Sequence, residues 1–381
     1  MNFQPLKDFL DYYLPGIGVP GSDTVIYKDR QPIFRYQSGF DSLAMRTPVR
    51  PDALYSMYSV SKVSTCIAAT QLIERGHILT SDPISYYFPE YADITVKKTA
   101  PNGSVTVERA RNTMTVRHLL TMTAGLDYNL NSPSIKRVYE ATAGRCPTLD
   151  IVRALASEPL SFEPGERYQY SLCLDVIGGL VELVSGMSFG KYMQENVFGP
   201  LGMKDTHFGF YESERARMAT KYDYNAQTRS AVEVDKAINP YNFGTEYESG
   251  GAGLVSSVDD QILLADALAH DGLGKNGARI LSDAGVKLMR SNHLNEEQRK
   301  QIGFNHLTGY SYGYGVRVNV APEEGGNLAP TDEFGWDGAK LSYLSAIPSQ
   351  RVAIFHAEHM GGLHPVVIPR LRNVITACLE S

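Results

Sequence analysis

The sequence predicts an α/β fold of the α+β type, in which one antiparallel sheet is built from both chain ends and flanked by helices, with a mostly helical region inserted. Short runs rich in β-branched and aromatic residues, separated by turns, occur near the N-terminus and again after about residue 311. The long stretch between them is dominated by apolar residues at helical spacing. A single sheet that takes strands from both termini is the most economical arrangement of these patterns.

The predicted elements divide the chain into a sheet region, residues 1–55 and 290–381, and a mostly helical region, residues 56–289, which together form one unit. Near the N-terminus we expect a helix over residues 6–13 and strands over residues 24–28 and 32–37. The middle region is predicted to contain a first long helix that ends at Gly76, followed by helices over residues 115–122, 148–157, 175–185, 189–198 and 258–270. The C-terminal part is predicted to form strands over residues 312–320, 333–338, 341–347 and 352–357 and a last helix over residues 366–379.

The composition is that of an ordinary globular protein and argues against several classes of function. Hydrophobic residues make up 43% of the 381 residues, and the net charge is −6, so there is no basic excess for binding nucleic acid. No apolar run is long enough for a transmembrane helix, and the N-terminal segment lacks the pattern of a secretory signal. We therefore expect a cytoplasmic protein with no membrane or nucleic-acid partner, and with free thiols at Cys66, Cys146, Cys173 and Cys378.

A serine and a lysine three residues apart, Ser59 and Lys62, open the first long helix of the middle region. This spacing places both side chains on one face of the helix, where the lysine can hydrogen-bond the serine hydroxyl. A desolvated lysine can act as a general base, and the unpaired N–H groups at a helix N-terminus can receive an oxyanion. The pattern indicates a serine nucleophile, and the alternative is that Ser59 only caps the helix.

The same spacing occurs a second time, at Ser188 and Lys191, which shows that the pair alone is not specific. An amphipathic stretch that runs to Phe198 follows Ser188, and we interpret this serine as its N-terminal cap. The sequence around Ser59 is therefore needed to distinguish a catalytic nucleophile from a helix cap.

The segments around Ser59 resemble those of class C β-lactamases, family VIII carboxylesterases and related penicillin-binding proteins. The resemblance covers nearly the whole chain in the family's order, and it is carried by residues 52–62, 71–79, 82–84, 87–89, 115–126, 198–203 and 250–257. It implies the β-lactamase/transpeptidase-like fold and a serine hydrolase that acts through an acyl-enzyme. Ser59 would be the nucleophile and Lys62 its partner.

The family's second motif, usually Tyr-x-Asn on a loop, corresponds here to residues 170–172. The resemblance implies that Tyr170 shares a proton with Lys62 and Ser59. A nearby ammonium would lower the pKa of the phenol, which would then work as a tyrosinate or as a proton shuttle. The alternative is a core tyrosine. Leu172 stands where the family's asparagine helps to bind the amide of a β-lactam, and this change resembles the family VIII esterases.

The family's third motif, normally Lys-Thr-Gly on a strand, corresponds to residues 336–338, and the single tryptophan takes the place of the lysine. The resemblance implies that Trp336, Asp337 and Gly338 contact substrate and that the glycine lets substrate approach the strand closely. The alternative is that Trp336 is a buried strand residue. If Asp337 faces the pocket it would repel an anionic substrate, unless Lys340 supplies a cation there.

The resemblance also implies further contacts around the reacting carbonyl. The backbone N–H groups of Ser59 and Ala339 would bind the oxyanion. Tyr58 and Leu172 would contribute to the substrate site, and the tyrosines near the motifs suggest a wall suited to apolar or aromatic groups.

The C-terminal histidines, His356, His359 and His364, could suggest a metal site together with Glu358. Residues His356 and His359 would point to opposite faces of a strand, and no HExxH or HxxEH motif is present, so we expect packing and contacts at the rim of the site instead. The glycine pairs at residues 250–251 and 361–362 lack the context of a nucleotide-binding loop. We therefore expect neither a metal nor a cofactor.

These observations predict a carboxylesterase-like serine hydrolase whose partner is a small-molecule ester or amide substrate, most favourably a small neutral ester. A β-lactamase, a D-amino-acid peptidase or an acyltransferase would use the same acyl-enzyme and stays open. A non-catalytic binding protein that retains the fold is the third alternative, and the presence of Ser59, Lys62 and Tyr170 together argues against it. The sequence does not predict the oligomeric state.

Overall fold

The computed structural model describes residues 1–100 and 102–381, and its largest element is an eight-stranded antiparallel sheet. The strands are β1 Gly21–Lys28, β2 Gln31–Ser42, β3 Thr47–Pro48, β4 Leu54–Ser56, β5 Thr95–Thr99, β6 Val105–Arg109, β7 His207–Phe208, β8 Lys221–Asn225, β9 Ser230–Val234, β10 Leu254–Ser257, β11 Tyr310–Tyr312, β12 Arg317–Asn319, β13 Phe334–Asp337, β14 Ser342–Ile347, β15 Val352–Ala357 and β16 Met360–Gly361. The sheet has the order β11-β12-β13-β14-β15-β1-β2-β3. Its two halves join where β1 pairs with β15, with Thr24 opposite His356. The prediction of one sheet built from both chain ends is confirmed.

The predicted helices are present with bounds that differ by a few residues, and the structure adds three that were not predicted. The helices are α1 Gln4–Asp8, α2 Leu14–Gly16, α3 Ser61–Glu74, α4 Val116–Leu120, α5 Pro133–Ala141, α6 Thr148–Leu155, α7 Cys173–Ser185, α8 Phe189–Met193, α9 Gly199–Leu201, α10 Val258–Ala269, α11 Asp283–Met289, α12 Glu296–Arg299 and α13 His364–Glu380, and the three additional ones are α5, α11 and α12. Two π-helical segments, Phe9–Tyr13 and Gln194–Phe198, make α1 and α2, and likewise α8 and α9, continuous.

Among its strands, the structure differs from the prediction over residues 312–320 and adds two hairpins and the three-stranded sheet β4-β10-β7. The single strand expected over residues 312–320 is a hairpin of β11 and β12, because Gly315 turns the chain with a φ of +67°. The hairpins β5–β6 and β8–β9 lie within the region predicted to be mostly helical. All of β6 is exposed, although Val105 and Val107 alternate with polar residues as in a strand, so this short pattern could have indicated it.

The sheet separates two hydrophobic cores. The terminal helices α1, α2 and α13 cover one face, where Leu10 and Leu371 pack against Ile354. The helical region, including α10, covers the other face, and α3 runs through it with every residue from Ser61 to Leu72 buried. Within the described residues no single helix is long and apolar enough to cross a membrane, and α7 passes that test only jointly with the helical stretch Phe189–Leu201, across a bend of 80°.

A buried ion pair ties four strands of the sheet together around Glu333. Its Oε1 accepts a hydrogen bond from Arg317 at 2.6 Å and another from Ser345, and its Oε2 accepts one from Tyr310 at 2.7 Å. Burial alone would raise the pKa of Glu333, but the positive charges of Arg317 and Arg372 and the hydrogen bonds from Ser345 and Tyr310 together outweigh it, and the pKa is lowered. Glu333 therefore stays ionised and neutralises a guanidinium that has no exposure to solvent.

Replacing Glu333 with alanine should destabilise the protein by about 3–5 kcal/mol, because Arg317 would remain buried without its partner. The loss is measured as a lower urea midpoint at an unchanged slope. Glu297→Ala, which breaks an exposed ion pair with Lys300, is the matched control and should change stability by less than about 0.5 kcal/mol. Equal midpoints for the two variants would contradict this account of the sheet.

Candidate active site

Ser59 lies at a sharp turn between the short strand β4 and the helix α3. Tyr58, directly before it, has a φ of +47°, which is strained for a bulky side chain. The short 3₁₀ helix Tyr58–Val60 then leads into α3. The Lys62 Nζ donates a hydrogen bond to the Ser59 Oγ at 3.2 Å, so the structure brings the two side chains together as their spacing predicts.

Lys62 is fully buried and its ammonium is surrounded by oxygen atoms and aromatic rings. Besides Ser59, it donates to the carbonyl oxygen of Gly251 at 2.7 Å and to the hydroxyl of Tyr128 at 3.3 Å. It also lies 4.6 Å from the centre of the Tyr170 ring. Burial lowers the pKa of Lys62 to about 8, so a useful fraction of the amine is neutral near physiological pH.

Tyr170 faces Ser59 and Lys62, but its hydroxyl is placed differently from the prediction. The Trp336 Nε1 donates to it at 3.1 Å. Burial raises the pKa of Tyr170 far above its usual value, against the opposing effect of hydrogen bonds with Ser59 and Trp336. The expectation of a lowered phenol pKa is therefore wrong, because burial dominates and Lys62 lies over the ring face. Tyr170 is a neutral phenol, and only the proton-shuttle role remains.

Sequence reasoning missed the aromatic residues that complete the wall of the site. Tyr128 stacks on Tyr170 at a centroid distance of 5.6 Å and contacts Lys62, and Tyr241 meets the Tyr128 ring edge-on at 5.5 Å. Phe304 meets Tyr170 edge-on at 5.3 Å. None of these three residues belongs to the second or the third family motif, residues 170–172 and 336–338. The only signal in the sequence that could have indicated these residues was its large number of tyrosines.

The end of strand β13 approaches Ser59 from the other side. A Cβ on Gly338 would lie 2.3 Å from the carbonyl oxygen of Met57, so contact with the chain before Ser59 already requires glycine here. The Gly338 N–H donates to the carbonyl of Ser342. Within residues 1–100 and 102–381, the N–H groups of Ser59 and Ala339 have no acceptor, which leaves both able to bind an oxyanion.

Asp337 faces the cavity, but its charge is already compensated. Its carboxylate accepts a hydrogen bond from His306 at 3.0 Å, and Arg317 lies 3.9 Å away. Burial would raise the pKa of Asp337, yet His306 and Arg317 lower it to about 2. The expected repulsion of anionic substrates is thereby weakened. Lys340 does not supply a cation either, because it pairs with Asp223 outside the cavity.

These groups line one cavity of about 510 Å³ that has Ser59 on its wall. Its walls are formed by Ser59, Tyr128, Tyr170, Tyr241, Gly303, Phe304, Asn305, His306, Trp336, Asp337, Gly338, Ala339, Gly362, His364 and Pro365. Tyr58 and Leu172, predicted to contribute to the substrate site, do not line it. Tyr58 is buried behind Tyr241, and Leu172 is buried at the start of α7, where its side chain faces another, smaller cavity. The predicted substrate contacts of these two residues are corrected accordingly.

Ser188, the serine of the second Ser/Lys pair, and the C-terminal histidines have other roles. The Ser188 Oγ accepts a hydrogen bond from the Lys191 N–H, which confirms the predicted cap. His356 bonds to Thr24 and Glu358, and His364 bonds to the carbonyl of Gly338 at the edge of the cavity. In the part of the chain that the structure describes, no three His, Cys, Asp or Glu side chains are grouped closely enough to bind a metal ion.

Comparison with known proteins places this geometry in a family. The sequence model of the family Beta-lactamase matches residues 6–357. The esterase EstB of Burkholderia gladioli is 30% identical over 273 residues, which cover 65% of this chain and 65% of EstB. The acyltransferase calJ of Penicillium decumbens is 29% identical over 366 residues, covering 90% of this chain and 84% of calJ.

A solved structure agrees in fold over the whole length. EstCE1, a hydrolase with promiscuous acyltransferase activity, has a TM-score of 0.78 at 24% identity, and the match covers 99% of both chains. This likeness confirms the predicted fold class. From the family match over residues 6–357, the chain belongs to the beta-lactamase family, and it shares its fold with EstCE1.

Proposed function

We propose that the protein is a carboxylesterase that hydrolyses small neutral esters through an acyl-enzyme on Ser59. The observation that carries the proposal is the contact between the Ser59 Oγ and the buried Lys62 Nζ at 3.2 Å, with the lysine pKa lowered to about 8. A neutral amine at this place can take the serine proton, which is the step that makes a serine nucleophilic.

The first half of the reaction forms the acyl-enzyme. The Ser59 Oγ attacks the ester carbonyl carbon while its proton passes to Lys62, and the N–H groups of Ser59 and Ala339 receive the negative oxygen. The C–O bond to the leaving alcohol then breaks, and the proton held by Lys62 passes to the alcohol by way of the Ser59 Oγ and the Tyr170 hydroxyl, which is hydrogen-bonded with Ser59. In the second half, Lys62 takes a proton from water as the water oxygen attacks the acyl carbon. The bond between the Ser59 Oγ and the acyl carbon then breaks, the acid leaves, and the proton passes from Lys62 to the Ser59 Oγ.

The walls of the cavity support a neutral, partly aromatic substrate. Five aromatic residues line it, namely Tyr128, Tyr170, Tyr241, Phe304 and Trp336. The cations near it are not free, since Lys62 and Arg317 are fully buried and Lys340 pairs with Asp223. The carboxylate common to penicillins and cephalosporins would therefore find no exposed lysine or arginine among the cavity-lining residues.

A neutral nitrophenyl ester of a short-chain acid should be turned over at least roughly a hundredfold faster, in kcat/KM, than a chromogenic cephalosporin, because only the neutral ester avoids burying an unpaired carboxylate. Ser59→Ala should abolish ester turnover. The matched control Ser188→Ala removes the same hydroxyl from the second serine and should keep it. Cephalosporin turnover rivalling the best ester would favour the β-lactamase alternative instead.

Lys62→Met and Tyr170→Phe should each lower kcat by roughly a hundredfold or more, as expected for the loss of a group that transfers protons. Because the two act on one proton path, the double variant should be little worse than either single variant. Stopped-flow or steady-state measurement of kcat for the three variants checks this. Losses that multiply in the double variant would show that the residues serve separate steps.

The pH profile of kcat/KM should report the titration of Lys62. Because the base has to be neutral, the rate should rise by about tenfold per pH unit below pH 8 and level off above it. Measurement between pH 5 and 10 with a neutral ester checks the position of this limb. A profile that is flat from pH 6 to 9 would contradict general-base action by Lys62.

A further inference from the structure

A buried carboxylate, Asp175 in the first turn of α7, lies behind the lysine and has no part in the proton path described above. It is 2% exposed, and its Oδ1 receives three hydrogen bonds. The Tyr247 hydroxyl donates at 2.8 Å, the Ser249 hydroxyl at 2.6 Å and the Gly251 N–H at 3.3 Å. All three donors belong to the segment that carries the carbonyl bound by Lys62.

The segment of residues 249–252, which we term the glycine loop, is clamped between α3 and α7. A Cβ on Gly250 would lie 2.4 Å from the carbonyl oxygen of Leu174, and one on Gly251 would lie 2.4 Å from the Asp175 Oδ2. On the α3 side, the Thr65 hydroxyl donates to the Gly250 carbonyl at 2.7 Å. The two glycines therefore let the loop approach both helices at once.

Lys62 binds this loop directly. Its shortest hydrogen bond, 2.7 Å, runs to the Gly251 carbonyl, on the residue whose N–H donates to Asp175. Within the described residues Asp175 and Lys62 form no direct ion pair, so the carboxylate acts on the amine across one glycine. Burial lowers the pKa of Lys62, and the negative charge of Asp175 is the largest effect that opposes it.

The other titratable groups around Lys62 are neutral. Burial raises the pKa of both neighbouring thiols and both neighbouring phenols, which belong to Cys66 on α3, Cys173 on α7, and the loop residues Tyr128 and Tyr170. Tyr247, on the far side of Asp175, also has a raised pKa because of burial. Among the groups named here, Asp175 therefore supplies the negative charge near Lys62.

We propose that Asp175 is a positioning residue of this site: through the glycine loop it fixes the carbonyl that binds Lys62, and its charge sets the pH above which Lys62 works as a base. The inference rests on the proposed function of Ser59 and Lys62. Asp175 touches neither substrate nor the reacting atoms, and it acts through Gly251 and the electric field at the amine.

The test is the pH profile of Asp175→Asn, which keeps an oxygen acceptor but removes the charge. Without the charge, less opposes the effect of burial, so the acid limb of kcat/KM should move to lower pH by roughly one unit. A purely structural carboxylate would lower activity or stability and leave the limb where it is. An unmoved limb in a folded Asp175→Asn protein overturns the proposal.

The matched control is Asp260→Asn, in the first turn of α10. Asp260 is also buried and accepts three hydrogen bonds, from the Lys204 and Asp205 N–H groups and the Thr206 hydroxyl, but none of its partners touches Lys62. This variant should lose stability to a similar degree and keep the limb of the unmodified protein. A shift equal to that of Asp175→Asn would overturn the proposal.

A second variant covers the case in which Asp175→Asn does not fold. Gly251→Ala places a methyl group against the Asp175 carboxylate, which should displace the carbonyl from Lys62 and lower kcat by roughly tenfold or more with KM unchanged. Full kcat in this variant overturns the positioning role.

The rate at which a fluorophosphonate labels Ser59, followed by mass spectrometry against pH, separates this inference from the proposed function. Labelling that has no acid limb, or that persists in Lys62→Met, rejects the proposed function itself. A limb in the unmodified protein that stays fixed in Asp175→Asn rejects only the role of Asp175.

Discussion

The burial of the Lys62 ammonium is the constraint on which the rest of the site depends. Removing an ion from water costs several kcal/mol, and that cost has to be offset by acceptors placed at fixed positions. The Gly251 carbonyl, two hydroxyl groups and the face of the Tyr170 ring provide them. The same burial lowers the pKa of Lys62 to about 8 and so makes a base of a side chain that is ordinarily a cation. The burial of Lys62 therefore costs the protein stability and, through the lowered pKa, makes the side chain reactive.

The sheet contributes a free edge and the fixed position of the oxyanion donors. Within β13, strand β12 pairs only with Phe334 and Gly335, so the last two residues of β13 and the following Gly338 are open toward the cavity. The contact between Gly338 and the Met57 carbonyl then brings this edge against the turn at Tyr58. Strain in that turn is maintained by the packing around it, as is common where a nucleophile has to be presented. The long-range pairing of both chain ends thus positions a short local motif.

What could be predicted from the sequence was local or carried by a motif. The spacing of Ser59 and Lys62 is a property of one helix turn, and the cap at Ser188 is equally local, so both follow from neighbours along the chain. The sheet followed from strand patterns at the two ends. Tyr128 and Tyr241 could not be predicted, because they lie in loops without periodicity and reach the site only through tertiary packing.

The corrected predictions share one physical cause, which is burial by distant segments. The phenol of Tyr170 was expected to respond to a nearby ammonium, but desolvation by the surrounding aromatic residues dominates its pKa. Asp337 was expected to repel anionic substrates if it faced the pocket and Lys340 supplied no cation, but His306 and Arg317, distant along the chain, compensate its charge. Leu172 was expected in the substrate site because it corresponds to the asparagine of the family's second motif, whereas at the start of α7 it is buried in the core. Local sequence does not report how many distant groups surround a side chain.

The most direct test of the account is to identify the residue that carries the acyl group. The protein is mixed with a nitrophenyl ester, quenched in acid during turnover and digested, and the peptides are analysed by mass spectrometry. The account predicts the mass of the acyl group on Ser59 and on no other residue, with the adduct disappearing as the substrate is exhausted. Steady ester turnover with no adduct on Ser59, or with the acyl group on another residue such as Ser188, would contradict it.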